Sequence, residues 1–233
     1  MSTIYLIPSL LDENGLQAIS PYILSAIKKC SVVFAENERT ARRFFKALDK
    51  DIVIDSFEWF TIHKTEEAQV NNFKKKIDEK KNIAIISEAG CPGIADPGQI
   101  LIALAQEMNC TIRPLVGPSS ILLALMASGL NGQQFEFLGY LPIESIAREK
   151  MIRELEISSF KNNSTKIFIE TPYRNNQLIE SLIKICNGKT KLCIAVNLTG
   201  PNELIKTQSI AQWKLKKPDM HKQPAIFLLH SGN

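Results

Sequence analysis

Short apolar runs rich in β-branched residues alternate with longer amphipathic segments along most of this 233-residue chain. The runs favour strands because branched side chains pack well on a pleated sheet, whereas the segments between them repeat their apolar residues with the period of a helix. Strands that alternate with helices through short links are typical of α/β proteins. The sequence therefore predicts an α/β fold.

The same pattern places each element on the chain. Strands are predicted at residues 4–7, 31–35, 52–54, 83–87, 111–114, 135–140, 166–170, 191–197, 203–208 and 225–230. Helices are predicted at residues 20–29, with Ser20 as the N-cap, at 38–48, around Val70, Phe73 and Ile77, and at 97–108, 119–128, 145–158 and 173–186. The helix at 119–128 is so apolar that we expect it to be buried. Residues 115–118 are interpreted as a hinge, which gives two α/β domains, 1–116 and 117–233.

Composition excludes several classes of protein. The five cysteines are an odd number and lack CxxC spacing, so we expect neither a disulfide framework nor a zinc site. No apolar run approaches the roughly 18 residues that span a bilayer, and the first residues show no signal-peptide pattern. We therefore expect a cytoplasmic protein without membrane or metal partners. The formal net charge of +4 is compatible with a polyanionic partner but does not require one.

The segment SEAGCPGIADPG, residues 87–98, follows a predicted strand and contains three of the chain's 11 glycines and two of its 11 prolines. Glycine lets the backbone approach a ligand closely, and proline stiffens the loop. Ligands of open α/β sheets bind at the carboxyl ends of the strands, so the loop is a candidate site that binds through main-chain groups. A tight structural turn before a helix explains the same residues equally well. The segment matches neither the dinucleotide fingerprint nor the phosphate loop.

The segment VGPSS, residues 116–120, precedes the apolar ILLALMASGL. Ser119 and Ser120 can cap a helix and present hydroxyls and N–H groups at its positive end, where a carboxylate would bind. A plain helix N-cap is the alternative interpretation.

Five segments, in order, resemble the signature of one family. SEAGCPGIADPG is similar to the SDAGTPGISDPG loop of the ribosomal RNA 2'-O-ribose methyltransferases, a branch of the tetrapyrrole methylase superfamily. AENERT at 35–40 resembles their AEDTR, and VGPSS with ALMASGL resembles PGPSA with ALSASGL. FEFLGYLP at 135–142 resembles F.F.GFLP, and FIETPYR at 168–174 resembles FYESPHR. The resemblance covers nearly the whole chain.

The resemblance implies two α/β domains with S-adenosylmethionine bound in the cleft between them, no metal, and usually a homodimer. It implies methyl transfer from S-adenosylmethionine to ribose 2'-oxygens of small-subunit ribosomal RNA. Carried over by motif, the cofactor contacts are Pro8, Gly90, Cys91, Pro92, Gly93, Ile94, Asp96, Ser119, Ser120, Leu141 and Glu170. For Glu170, a buried carboxylate that serves only the fold is the alternative.

This sequence departs from the family pattern around the expected acceptor side. Asn37 and Glu38 replace the aspartate and threonine of AEDTR, and the Gly-Asn pair expected after the first strand is missing. In VNLTGPNEL, Val196 and Asn197 replace an arginine and a glutamate, although Glu203 is kept. These changes concern the acceptor more than the cofactor.

A hydroxyl acceptor needs a base that removes its proton. Glu36 is the first candidate, and Arg39 would hold a phosphate or ribose oxygen, although a structural ion pair between the two explains the same spacing. His63 is a further candidate base or a solvated loop histidine.

Positive charge recurs along the helix predicted at 38–48. The spacings of three and four predict a basic face for RNA phosphates, made of Arg39, Arg42, Arg43, Lys46 and Lys50. The second basic region, at residues 74–76 and 80–81, is interpreted as a solvated surface.

Two other functions stay open. One is methylation of a small tetrapyrrole-like molecule, against which the EAG of this loop counts, because such enzymes usually have a GDP-type loop there. The other is a cofactor-binding interaction protein that has lost catalysis, which the changes at Val196 and Asn197 suggest.

Overall fold

The computed structural model describes residues 2–62 and 66–232. The chain divides into two compact units, Met1–Ser119 (unit 1) and Ser120–Asn233 (unit 2). Each unit contains a five-stranded sheet with helices packed on it. The α/β fold predicted from the sequence is confirmed.

Unit 1 is built on a parallel sheet. Its strands are β1 (Thr3–Ile7), β2 (Val32–Ala35), β3 (Glu58–Thr61), β4 (Ile83–Ile86) and β5 (Thr111–Pro114), in the order β3-β2-β4-β1-β5. Neighbours pair in parallel, with Ile83 of β4 beside Ile4 on one side and Val32 on the other. The helices are α1 (Tyr22–Ile27), α2 (Glu38–Leu48), α3 (Val70–Asp78) and α4 (Gln99–Glu107).

Alternation along the central strands gives unit 1 a core on each face of its sheet. Val33 of β2 packs in one core with Phe45 of α2. Phe34, the next residue, packs in the other with Phe73 of α3 and Leu101 of α4. Because both faces are covered, β2 and β4 are buried along their whole length, as is usual for parallel sheets.

Unit 2 has a mixed sheet. Its strands are β6 (Phe135–Tyr140), β7 (Thr165–Ile169), β8 (Lys191–Val196), β9 (Leu204–Ser209) and β10 (Ala225–His230), in the order β6-β7-β10-β8-β9. The β6–β7 pair is parallel, and the other pairs are antiparallel. The helices are α5 (Ser120–Ser128), α6 (Ser145–Asn162), α7 (Asn175–Ile185) and α8 (Ile210–Leu215).

The main core of unit 2 lies between its sheet and α6, α7 and α8. Phe168 and Phe227 stack with ring centroids 6.0 Å apart, and they share this core with Leu155, Leu182 and Trp213. Helix α5 packs against β8, β9 and β10.

The prediction of a strand at residues 52–54 is wrong. Asp51 N–H donates to Asp49 Oδ1, and Ile54–Ser56 then form a 3-10 turn. The edge strand β3 follows at Glu58–Thr61. Its sequence, EWFT, shows too short an alternation to be recognised, and β3 is fixed by its pairing with β2 rather than by local preference.

Three helices also differ from the prediction. Helix α1 begins at Tyr22 with Pro21 as the N-cap, so Ser20 is not its cap. Helix α6 continues to Asn162 and ends where Asn163 takes a left-handed conformation with φ of 47°. Helix α5 is only half-buried, because Leu122 and Met126 are 53% and 81% exposed.

Helix α8 was not predicted. It has six residues, too few to show a helical period, and begins with a capping box formed by Ser209 and Gln212.

Candidate functional site

The carboxyl ends of the parallel strands of unit 1 bring four predicted or neighbouring segments to one edge of the sheet. Pro8 follows β1, Glu36 follows β2, Ser87 follows β4, and Leu115 follows β5. Because β4 lies between β2 and β1, the loop that leaves it is flanked by the segments at Glu36 and Pro8. This edge is where open α/β sheets bind their ligands.

The loop from Glu88 to Gly98, the candidate cofactor-binding segment and for that reason called the cofactor loop below, turns repeatedly through the left-handed region. Gly90, Gly93 and Gly98 have φ of 71°, 77° and 121°, and Ala95 has φ of 65°. Two internal bonds close the loop, from Gly93 N–H to the Pro97 carbonyl at 3.1 Å and from Ile94 N–H to the Cys91 carbonyl at 3.3 Å.

Gly98 is required at the end of this loop. A Cβ there would lie 3.1 Å from Ile85 Cγ2, and its φ disfavours any L side chain. Gly98 also provides the N-cap position of α4, so the turn and the helix begin at one residue.

Ser9 fastens the cofactor loop to the segment after β1. Its N–H donates to the Gly90 carbonyl at 2.8 Å, and its hydroxyl donates to the Glu88 carbonyl at 2.8 Å. Ser9 itself is 3% exposed. Ser9 was not identified from the sequence, in which its one signal is its place directly after the predicted contact Pro8.

Glu36 and Thr40 fasten the loop from the other side. Glu88 N–H donates to Glu36 Oε2 at 2.8 Å, and the Thr40 hydroxyl donates to Glu88 Oε1 at 3.0 Å. The predicted base Glu36 is therefore in direct contact with the predicted cofactor loop. Glu88 and Thr40 were not identified from the sequence, although both lie inside the segments that resemble the family.

Asp96 lies near two other carboxylates at this edge. Burial raises the pKa of Asp96 from 3.8 to about 7, and the charges of Glu36 and then Glu88 add to this rise. Burial also raises the pKa of the Cys91 thiol, with a smaller contribution from Asp96. The site is thus negatively polarised and holds a carboxyl group whose pKa lies near neutrality.

The segment at residues 115–118 closes against the same loop. Cys91 Sγ lies 3.7 Å from the Pro118 carbonyl, and Val116 N–H donates to the Tyr22 hydroxyl oxygen. A Cβ on Gly117 would lie 2.2 Å from Cβ of Pro8, so only glycine fits there. Unit 1 therefore brings together Pro8, the predicted loop contacts (Gly90, Cys91, Pro92, Gly93, Ile94 and Asp96) and the residues that precede Ser119.

In unit 2, two predicted contacts follow the parallel pair of strands. Leu141 comes directly after β6 and is 3% exposed. Glu170 comes directly after β7, and its side chain is 1% exposed. Ser120 is the first residue of α5.

Glu170 organises the turn that leads to α7. Its Oε1 accepts bonds from Thr171 N–H at 2.6 Å and from Nε and Nη2 of Arg174 at 2.9 and 2.6 Å. Among the described residues its Oε2 has no hydrogen-bond partner. Glu170 therefore orients the backbone and Arg174, and it retains one acceptor atom.

The departures from the family pattern have structural roles. Asn37 is the N-cap of α2 and accepts from Thr40 N–H at 3.3 Å, as an aspartate would. Val196 is buried at the end of β8. Asn197 has φ of 50°, which asparagine tolerates, and Glu203 accepts from Thr199 N–H at 2.7 Å.

On the basic face of α2, Arg39, Arg43 and Lys46 are exposed; Lys50 is exposed too, but it lies beyond the end of the helix at Leu48. Arg42 pairs with Glu38 and lies over the Trp59 ring, 5.2 Å from its centroid. In the second basic region Lys76 is buried and pairs with Glu58 at 2.8 Å and Glu79 at 3.1 Å, so it is not the solvated lysine that we predicted.

Across residues 2–62 and 66–232, no three His, Cys, Asp or Glu side chains are grouped so that they could hold a metal ion. In the same range no helix is long and apolar enough to cross a bilayer. His63 lies outside the described residues.

Two curated relatives share the name Ribosomal RNA small subunit methyltransferase I. The one from Micromonospora olivasterospora is 29% identical over 201 residues, covering 86% of this chain and 61% of the relative. The one from Vibrio cholerae is 26% identical over 230 residues, covering 97% of this chain and 76% of the relative. The chain thus spans about three fifths of the first relative's length and about three quarters of the second's.

A solved structure described as the methyltransferase CobJ superposes with a TM-score of 0.65, covering 99% of this chain and 93% of that one. At 15% identity this likeness shows a shared fold only. The profile of the family described as Tetrapyrrole (Corrin/Porphyrin) Methylases matches residues 15–213, which include the cofactor loop and most of both sheets. The chain belongs to the tetrapyrrole methylase family.

Proposed function

We propose that this protein is a methyltransferase that uses S-adenosylmethionine to methylate ribose 2'-oxygens of small-subunit ribosomal RNA. The observation that carries the proposal is the cofactor loop, a backbone-lined turn at the carboxyl edge of a parallel sheet that is hydrogen-bonded to the segments after β1 and β2. When bound, S-adenosylmethionine supplies a methyl group on a cationic sulfonium.

The chemistry of this edge suits such a donor. The donor is zwitterionic at its methionine end and positive at sulfur, so the negative field of Glu36, Glu88 and Asp96 favours it. The glycine-rich backbone of the loop offers main-chain N–H and C=O groups for an apolar adenine and a hydroxylated ribose. We assign the remaining contacts, following the family motifs, to Pro8, Ser119, Ser120, Leu141 and Glu170.

Transfer requires that the acceptor oxygen attack the methyl carbon while the sulfur–carbon bond breaks and its electron pair returns to sulfur. The hydroxyl proton must pass to a base. Asp96 and Glu36 are the candidates at this edge. We favour Asp96 because its pKa of about 7 lets it accept a proton near neutral pH, whereas Glu36 Oε2 already accepts a main-chain bond.

The acceptor assignment rests on charge and on the names of the relatives. Arg39 and its neighbours on α2 expose positive charge suited to phosphates. Unit 2 has 14 Lys and Arg residues against 9 Asp and Glu, whereas unit 1 has 14 against 15, so the net positive charge of the chain lies in unit 2. We further propose that the protein works in the cytoplasm, as its scattered cysteines suggest, and as a homodimer, as the family resemblance implies.

The test has two steps, so that donor and acceptor are judged separately. Calorimetric titration with S-adenosylmethionine and with its demethylated product measures donor binding. Methyl-labelled donor is then incubated with small ribosomal subunits from a strain that lacks the gene for this protein, called deficient subunits below. Subunits from the parent strain, which are already methylated, are the matched control. Label confined to the ribose of the deficient subunits supports the proposal. Donor binding without transfer to any cell RNA would refute the RNA assignment.

The small-molecule alternative is favoured by one finding, the family description itself, which names corrin and porphyrin methylases. Transfer of label to a precorrin-type substrate, with none to the deficient subunits, would establish it. Binding of the donor without transfer to either acceptor would instead support an interaction protein that has lost catalysis.

A further inference from the structure

We propose that Glu36 and Thr40 are positioning residues that fix Glu88, the first residue of the cofactor loop, and that donor affinity depends on this positioning. In this proposal Glu36 does not act as the base. The inference rests on the proposed function, since it names what sets the affinity of the same site.

Glu88 is held at three of its polar groups by two segments of the chain. Its N–H donates to Glu36 Oε2 at 2.8 Å, its Oε1 accepts from the Thr40 hydroxyl at 3.0 Å, and its carbonyl accepts from the Ser9 hydroxyl at 2.8 Å. Because Gly90 is bonded to Ser9 N–H at 2.8 Å, the loop leaves β4 along a fixed path. The position of Glu88 therefore fixes where the backbone turns at the glycines that follow begin.

The two holding residues on the β2 side are themselves fixed. Glu36 N–H donates to the Ile86 carbonyl at 3.0 Å, which extends the pairing of β2 with β4 by one residue. Thr40 lies in the first turn of α2, where its N–H donates to the Asn37 side chain at 3.3 Å. Glu36 precedes the N-cap Asn37, and the side chains of Glu36 and Thr40 both bond the same residue, Glu88.

This geometry separates the two roles that Glu36 could have. A base would present a carboxylate lone pair to the acceptor hydroxyl, whereas the positioning role needs only that Oε2 accept the bond from the Glu88 N–H. Glutamine cannot act as a base, but its amide oxygen can accept the same main-chain bond. The conservative variant E36Q therefore keeps the positioning role and removes the catalytic one.

The test compares E36Q with E36A and T40S with T40V, by calorimetric affinity for the demethylated donor and by kcat with deficient subunits. Loss of one hydrogen bond to a charged group corresponds to roughly a tenfold change in affinity. We expect E36A to weaken donor binding by about tenfold and T40V by about threefold. E36Q and T40S should stay within about threefold of wild type in both affinity and kcat. The matched charge control is E38Q, two residues away on α2, which should leave donor affinity unchanged.

Amide hydrogen exchange in the ligand-free protein provides a readout that does not depend on donor binding. The Glu88 amide should exchange faster in E36A than in wild type and be protected again in E36Q. If the wild-type protein binds no donor, the proposed function fails. The exchange data still show whether Glu36 protects the Glu88 amide. An E36Q variant that loses kcat with unchanged donor affinity, or an E36A variant with unchanged affinity and unchanged exchange, would overturn the inference.

Discussion

Replacing Asp96 by asparagine should change how the stability of unit 1 depends on pH. The pKa of Asp96 rises from 3.8 to about 7 in the folded protein through burial and then through the charges of Glu36 and Glu88. Between about pH 4 and pH 7, therefore, Asp96 is protonated in the folded protein and ionised in the unfolded chain. Because the folded state binds more protons, wild-type stability should fall as pH rises from about 4 to about 7. In the Asn variant this fall should be absent.

The size of the effect follows from the shift. A change of about three pKa units would correspond to about 4 kcal/mol if it were fully expressed in stability. Asp96 is only partly buried, and solvent screens the two neighbouring charges, so we expect about 1–2 kcal/mol. D96N should thus be more stable than wild type by this amount at pH 8 and nearly equal to it at pH 4.

Trp59, which packs against Phe45 and Phe57 in unit 1, reports on this unit. The chain has two tryptophans, so a W213F background leaves Trp59 as the single fluorophore. Urea unfolding of W213F and of W213F/D96N at pH 4 and at pH 8 gives four free energies of unfolding. From these the effect of D96N on stability is obtained at each pH. Equal differences at the two pH values, or a less stable D96N at pH 8, would show that Asp96 does not hold a raised pKa.

Other substitutions test the remaining parts of the site. Donor binding at pH 6.5 should release part of a proton, because a cationic ligand beside Asp96 favours its ionised form; calorimetry in two buffers of different ionisation enthalpy measures this release, and D96N should abolish it. G117A should destabilise unit 1 by more than about 2 kcal/mol, since its Cβ would overlap Pro8, whereas G132A, whose Cβ would lie 4.0 Å from Leu125, should be near neutral in thermal unfolding. R174A should destabilise unit 2 by about 3 kcal/mol, because among the described residues the buried Glu170 carboxylate would keep Thr171 N–H as its one hydrogen-bond donor; adding E170Q should recover part of the loss in urea unfolding. R43A and K46A should each reduce the salt slope of RNA binding by about 1 in filter-binding assays, and K81A should reduce it less.

Local patterns predicted much of the fold. The helix at 38–48 and the strands at 111–114, 135–140 and 225–230 were placed at their observed bounds, because each has a clear apolar period and a distinct end. Strand β3 and helix α8 could not be found in this way. The first is held by pairing with β2, and the second by a capping box on six residues, so neither depends on a long periodic segment.

In the candidate site, too, local features were predicted from the sequence and long-range contacts were not. Glycine and proline spacing indicated the cofactor loop, since those residues act through the backbone of their own segment. The partners of the loop are Ser9, 79 residues from Glu88, and Thr40, 48 residues from it. Contacts between residues so far apart in the sequence can be predicted only when the strand order is known. The positive φ of Ala95 also had no local signal, because alanine rarely takes that conformation.

The changes from the family pattern argue for an altered acceptor region rather than a lost donor site. Asn37 replaces an aspartate but caps α2 through the same kind of oxygen, and this cap fixes Thr40, whose hydroxyl reaches Glu88. Glu38, which replaces a threonine, turns away to pair with Arg42 on the basic face. A protein that no longer bound the donor would have no need of the bonds that hold Glu88, yet the substituted Asn37 preserves the turn from which Thr40 makes one of them. Since the substitutions keep the geometry of the loop and alter the surface around α2, we expect them to change which RNA segment is bound while donor affinity is retained.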